Sequence, residues 1–563
     1  MKKMGTLLLG SILTVALGAV PSASFGAASI FIVNDDGPNE GFNDPTPTAP
    51  VGGNPGTTLG QQRLNAFQFA ADIWGSTLDS DVPIYILSSF DPLPCTATSA
   101  TLGAAGALEV WGDTPGVEVP GTWYHVALAN KLAGFDLSPD PNGEDIIAFF
   151  NTDLDNPVCL GATGWYYGLD DNHGTNIDLV TVLLHEFGHG LGFANFANET
   201  TGALLAGFPD IFTVYSLDNQ TNKHWSDMTD AERQASAVNT DRVVWDGLHT
   251  TAAVPSTLQL GNPAVNRIIP FSLQSIRVGT AAFGPPLSSP GVAAFLVQAL
   301  DPADAAGPTT FDACSPLTNA AAVNGKIALV DRGTCGFTVK VKNAQNAGAR
   351  AVIVAENVAG SPPAGLGGAD PTITIPSVRI SLADANTLKA NLASGPVFLR
   401  VGLDQTQFAG ADRLLRAKLY APNPVQTGSS ISHFDTLATP NLLMEPAINS
   451  DLTHGLDLTL TQMTDIGWFS DGDGVPDGRD FCIGSDPRAT VVVGSCNSGV
   501  PNSQVTNGCK ISDLIEGCAD GAHTHGQFVS CVALATNGLK ASGAITNAQK
   551  GAIQSCAASA AIP

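Results

Sequence analysis

Apolar positions through residues 61–74 recur at helical spacing, with Leu64, Phe67, Ala71 and Trp74 along one face, and predict a helix. Residues 82–87 and 145–150 read as strands. The Gly-, Pro-, Asn- and Asp-rich stretch 29–60 predicts an extended segment. A second helix is expected from near Asn176, with Asp178 in its first turn, where a negative charge suits the helix dipole. It runs through Leu179, Val180, Val182, Leu183 and Leu184 into His185-Glu186-Phe187-Gly188-His189, and Gly190 and Gly192 end it. Residues 195–275 give few periodic signals. The pattern then changes over 276–405: a strand at 326–330, a short helix at 340–347 and a strand at 351–355 make a βαβ unit. Residues 411–468 read as α-rich and close on a helix at 458–468. Residues 470–503 are rich in Asp, Gly and Cys, and the tail from about 505 predicts two helices, one over 528–539.

The first residues add a compartment. Lys2 and Lys3 precede a mostly apolar run, residues 6–20, and Ser24, Gly26 and Ala28 offer small-residue cleavage positions. This is the pattern of a secretory signal peptide over 1–27; no later run reaches the ~18 apolar residues of a membrane span. The mature chain is therefore expected to be secreted, with no transmembrane segment. Ten cysteines, an even number, fit disulfides in such a compartment.

Length and charge narrow the classes further. The 563 residues predict about three or four domains. Lys plus Arg number 25 against 51 Asp plus Glu, a formal charge of −26 that becomes −28 once Lys2 and Lys3 are removed. Such a polyanion is a poor ligand for nucleic acid or acidic membranes. Only ten of the acids are Glu, so the acid excess points to loops, turns and cation sites rather than helical surfaces.

His185 and His189 stand at i and i+4, so both imidazoles leave one helix face, the arrangement of two zinc ligands. Glu186, one residue along, can reach a water beside the metal but not the metal itself, which makes it the candidate general base. A catalytic zinc needs a third protein ligand. The continuation Gly190-Leu191-Gly192-Phe193-Ala194-Asn195 resembles the metzincin pattern HExxHxxGxxH, in which the Gly turns the chain, but Asn195 replaces the third His. The other candidates are His433, His454, His249 and an acidic residue.

Ser430-Ile431-Ser432-His433-Phe434-Asp435, followed by Asn441-Leu442-Leu443-Met444-Glu445-Pro446, resembles the end of a leishmanolysin-type metzincin. In that family a long insertion separates the HExxHxxGF helix from the third histidine, which precedes a methionine-containing turn beneath the metal. The closing stretch Leu458-Thr459-Leu460-Thr461-Gln462-Met463-Thr464-Asp465-Ile466-Gly467-Trp468 is similar as well. The resemblance spans residues 30–195 and 411–468 and implies His433 as third ligand, 244 residues after His189, and Met444 as the Met-turn residue. It implies a zinc-dependent endopeptidase acting on proteins or peptides. The departure at Asn195 keeps open an inactive binding or adhesion protein on the same scaffold. Tyr166 and Tyr167 are candidate oxyanion partners, although packing in a strand is the stronger expectation for both.

Inside the insertion, Asp331-Arg332-Gly333-Thr334-Cys335, Asn346-Ala347-Gly348-Ala349 and Ile375-Pro376-Ser377-Val378 resemble the protease-associated (PA) domain. That resemblance implies a substrate or protein exosite and pairs Cys314 with Cys335. Asp471-Gly472-Asp473-Gly474-Val475-Pro476-Asp477-Gly478-Arg479-Asp480-Phe481-Cys482 resembles a thrombospondin type 3 repeat, which implies calcium held by Asp471, Asp473, Asp477 and Asp480. Cys482 and Cys496 are expected to close that loop, and Cys95 and Cys159 to bridge the catalytic domain. Cys509, Cys518, Cys531 and Cys556 allow three pairings, and His523 and His525 read as loop histidines.

The expected fold class is α+β. A metzincin-like catalytic domain (28–275 and 406–469) is interrupted by a PA insertion (276–405). A calcium repeat (470–503) and a Cys-rich helical tail (504–563) follow.

Overall fold

The computed structural model describes residues 27–139, 143–161, 163–272, 275–471, 475–486, 488–506 and 508–562. The expected signal peptide lies outside them, apart from Ala27. The chain divides into two compact units, one spanning Ala27–Trp468 and the other beginning at Phe469.

The first unit opens on a four-stranded sheet. Its strands are β1 (Ile30–Asn34), β2 (Ile84–Asp91), β3 (Gly103–Ala107) and, after the small ribbon of β4 (Val110–Gly112) and β5 (Trp123–His125), β6 (Ile146–Asn151), in the order β1-β2-β6-β3. β1, β2 and β6 run parallel, with Ile30 opposite Ile84 and Ile86 opposite Ile146; β3 lies antiparallel on the edge, with Ala105 opposite Ala148. β1 falls within the stretch expected to be an extended segment, where no separate strand was expected. Its five residues are too short a run to stand out among the glycines and prolines that follow it.

Helix α1 (Leu59–Thr77) is capped by Thr58, whose side chain accepts the Gln61 N–H. Helix α2 (Val126–Ala133) follows β5, and helix α3 (Leu179–Leu191) begins where the Asp178 side chain accepts the Thr181 N–H, a cap worth about 1 kcal/mol. Phe67 on α1 packs edge-on against Phe150 at 4.8 Å and reaches Phe187 on α3 at 6.0 Å. The Trp74 indole donates to Leu184 O at 3.1 Å. These contacts hold both helices against the sheet and explain why α3 is enclosed on every side: all thirteen of its residues are buried, His185, Glu186 and His189 among them.

Residues 260–408 carry an eight-stranded mixed sheet. Its order is Ile276–Arg277, Leu260–Ile269, Phe398–Phe408, Val292–Gln298, Ile327–Asp331, Ala351–Ala355, Ser377–Ile380 and Gly279–Thr280. Val292–Gln298 through Ser377–Ile380 run parallel, and each face has its own apolar core. The sheet therefore begins upstream of residue 276: Leu260–Ile269 pairs antiparallel with Phe398–Phe408, with Val265 opposite Val401. Residues 411–468 are mostly turns, not α-rich, with one α-helix at Asp457–Asp465. Their density of Asp, Asn, Pro, Ser and Gly favours turns over helix.

The second unit packs the hairpin of Thr490–Val493 and Cys496–Pro501 with helices Ile511–Asp520, His525–Ala541 and Asn547–Ser559 in one core. Stretches 470–503 and 504–563, expected as separate modules, thus share Val491, Val493, Ile511, Phe528 and Ile553. The disulfides correct the expected loop closure. Cys482 pairs with Cys509, not Cys496; Cys496 pairs with Cys556, and Cys518 with Cys531. The shared core places the tail cysteines nearer the loop than sequence grouping implied. Cys95–Cys159 and Cys314–Cys335 form as expected. No helix among the described residues is long and apolar enough to cross a membrane.

Candidate metal centre

The glycines of α3 let the chain pack around it. A Cβ on Gly188 would stand 2.9 Å from Met444 Sδ, and one on Gly190 would meet Ile146 at 2.4 Å. Gly192 ends the helix at φ +138°, where a Cβ would meet Ile466 Cδ1 at 2.4 Å. Met444 is fully buried beneath the helix, and its carbonyl accepts the Phe434 N–H at 2.7 Å. Tyr420 N–H donates to His433 O at 2.8 Å, so His433 sits in a segment tied on both sides.

This arrangement brings His185, His189 and His433 together. Their Nε2 atoms form a triangle with sides of 3.2, 3.2 and 3.3 Å. Each Nδ1 lies against a backbone carbonyl: His185 on Leu443 O at 2.7 Å, His189 on Phe193 O at 2.7 Å and His433 on Ser429 O at 2.9 Å. A carbonyl can only accept, so each Nδ1 carries the hydrogen and each neutral Nε2 presents a lone pair. Burial pushes the His185 imidazole down to about 3 and His189 to about 4, and holds His433 well below its ordinary range. Three lone pairs then converge with no proton between them. Zinc at ~2.0–2.1 Å from three tetrahedral nitrogens would set them about 3.3–3.4 Å apart, so the donor set fits it. The carbonyl partners are the outer contacts that orient metal-binding histidines.

Glu186 is 8% exposed, and burial pushes its carboxyl up to about 8, opposed by a hydrogen bond from the Ala105 backbone on β3. A cation alongside would draw it back down. Sequence reasoning gave no hint of β3 beside this carboxylate, because Gly-Ala-Ala-Gly-Ala carries no alternation of apolar and polar side chains. It also passed over His125, which is fully buried, has no hydrogen-bond partner on either ring nitrogen, and packs 4.5 Å from Phe196.

The other candidates are placed elsewhere. The Asn195 side-chain amide donates to Ser432 Oγ at 2.9 Å and Glu199 Oε1 at 3.3 Å. His249 follows Gly247 into a helix whose backbone binds Asp465, and His454 bonds Asp178. Tyr167 donates to Asp155 at 2.6 Å and Tyr166 to Asp170 at 2.5 Å. In the second unit Asp477 and Asp480 are buried, and Asp471 accepts the Ser485 N–H at 2.8 Å. Among the described residues these three do not converge as the histidines do; Asp473 lies outside them. His525 is held by Ile562 O and Ala558 O.

The turn bearing Met444 has a titratable neighbour. Burial pushes the Glu445 carboxyl from 4.5 up to about 8, while Leu442 N–H and Asn449 bind its oxygens at 3.0 and 3.1 Å. A raised native value means that the folded chain holds a proton the unfolded chain releases. This contribution to stability is complete below about 4.5 and is lost as pH rises through about 8. Glu445→Gln should therefore flatten the fall of Tm between those values. An unchanged slope in thermal melts would contradict the burial argument.

Comparison with known proteins bears on the insertion. Residues 292–388 match the PA domain family. Human ER degradation-enhancing alpha-mannosidase-like protein 3 is 56% identical over 48 residues, covering 8% of this chain and 5% of that protein. The probable leucine aminopeptidase 2 of Aspergillus fumigatus is 38% identical over 84 residues, 15% of this chain and 17% of that protein. The chain thus spans only a small part of these relatives. Among solved structures, the zinc aminopeptidase BSAP from Bacillus subtilis aligns over 28% of this chain and 37% of its own, at 21% identity and a TM-score of 0.19, a likeness too slight to bear on the metal centre. The match over residues 292–388, on the mixed sheet with a core on each face, identifies this part of the chain as a PA domain.

Proposed function

We propose that the chain is a zinc-dependent endopeptidase of the leishmanolysin-like metzincin type, its catalytic region split by the PA domain. The observation that carries this is the triangle of three Nε2 atoms whose Nδ1 partners are all carbonyls. His185, His189 and His433 would hold the metal, with Met444 packed beneath the helix and Gly192 turning the chain out of it. Bound zinc would supply Lewis acidity to a scissile carbonyl and lower the pKa of water toward ~7. Glu186 accepts the proton of the attacking water at its carboxylate and returns it to the leaving nitrogen. The Ala105 N–H fixes the orientation of that carboxylate. β3 lies on the sheet edge with β6 as its strand partner, so an extended peptide can add alongside it and pass Glu186.

Cleavage of a denatured protein that a chelator stops and added zinc restores is the expected result. Zinc bound without cleavage would instead favour an inactive binding protein on this scaffold. Export belongs to the same proposal, supported by five disulfides that leave no free cysteine. A substrate or protein exosite is the role proposed for the PA domain. Calcium at Asp471, Asp473, Asp477 and Asp480 is proposed from the repeat-like sequence. Thermal melts should then show a higher Tm with calcium than with magnesium, and equal values would reject it.

A further inference from the structure

A second cluster lies at the start of α3. The metal-binding atoms of Asp171, Asp178 and His454 all fall within 4.8 Å of one another. His454 Nε2 is 3.1 Å from Asp178 Oδ1 and 3.9 Å from Asp171 Oδ1. Asp178 is 4% exposed; its Oδ1 also caps α3 through the Thr181 N–H at 2.7 Å, and its Oδ2 is buried with no hydrogen-bond partner. Asp171 Oδ1 is likewise buried without a hydrogen bond. The His454 ring is braced edge-on against Phe69 of α1 at 5.8 Å.

A simple Asp178–His454 hydrogen bond does not account for this arrangement. It leaves two buried carboxylate oxygens unsatisfied, and such groups are expensive in a folded protein. Even with His454 protonated, two carboxylates face one cation. Among the described residues, no Lys or Arg forms an ion pair with either. A divalent cation would neutralise both carboxylates and give the orphaned oxygens a ligand role.

We infer that Asp171, Asp178 and His454 form a second, structural site for a zinc-class divalent cation. The imidazole argues against calcium, which takes oxygen ligands, and His with two carboxylates is a donor set zinc accepts. The ion would tie the loop before α3 and the cap of α3, seven residues apart, to a stretch remote in sequence, the chain between Met444 and the closing helix. The first two fix the start of the helix that carries His185 and His189. The third follows the turn whose Leu443 carbonyl orients His185.

Zinc stoichiometry after equilibrium dialysis of the full chain against buffered zinc tests this without relying on activity. The wild type should bind two zinc ions and the Asp171→Asn/His454→Gln variant one. His433→Ala should also bind one, so the two sites are counted separately. The single Asp171→Asn change, in a loop and with folding checked by circular dichroism, should weaken the second zinc at least tenfold. The inference is overturned if Asp171→Asn and the double variant keep the full wild-type zinc content. It is equally overturned if His433→Ala abolishes all zinc binding.

Discussion

Glu186→Ala should lower cleavage of a denatured protein by about 10²–10⁴-fold or more while zinc stays bound at His185, His189 and His433. Glu186 shares α3 with His185 and His189 but does not belong to the nitrogen triangle, and its partner is the Ala105 backbone rather than an imidazole. Its removal deletes the proton acceptor and leaves the donor set intact. The check is a pair of measurements on the same preparation: cleavage rate and zinc content. Equal rates for variant and wild type would remove Glu186 from the chemistry. Loss of zinc together with activity would make it a structural residue.

His433→Ala should lose zinc from the histidine triangle, with an affinity drop larger than the ~10–100-fold typical of removing an outer-sphere partner. Two nitrogens 3.2 Å apart then remain where three had converged. Asn195→Ala should keep the metal, because the Asn195 amide is engaged with Ser432 and Glu199. Zinc titration of the two variants decides between them. Loss in Asn195→Ala with retention in His433→Ala would reverse the ligand assignment and undo the reading of a catalytic region split by the PA domain.

Much of this centre was legible because chemistry and periodicity coincide on α3. The His-Glu-x-x-His spacing, the apolar run before it and Asp178, expected in the first turn and found as the cap, all sit in one continuous stretch. His433 was legible only through resemblance, since nothing in the residues between it and His189 encodes the return path. The structure supplies that path through Tyr420, Met444 and the Leu443 carbonyl. β1 and β3 were hidden for opposite reasons: the first is a short run beside turn-rich chain, and the second is built from Gly and Ala with no side-chain pattern. Cysteine order was misleading in the second unit. Cys482 and Cys496 are neighbours in sequence, yet each finds its partner beyond residue 503, across a shared core. His454, a candidate third ligand, stands with two carboxylates at the other end of the same helix rather than in the histidine triangle.

The most direct test of the central claim is anomalous diffraction at the zinc edge from crystals of the full chain grown with zinc. A zinc peptidase of this type predicts a peak ~2.0–2.1 Å from Nε2 of His185, His189 and His433, with a fourth position open beside Glu186. A zinc-loaded crystal with no peak inside that triangle would contradict it.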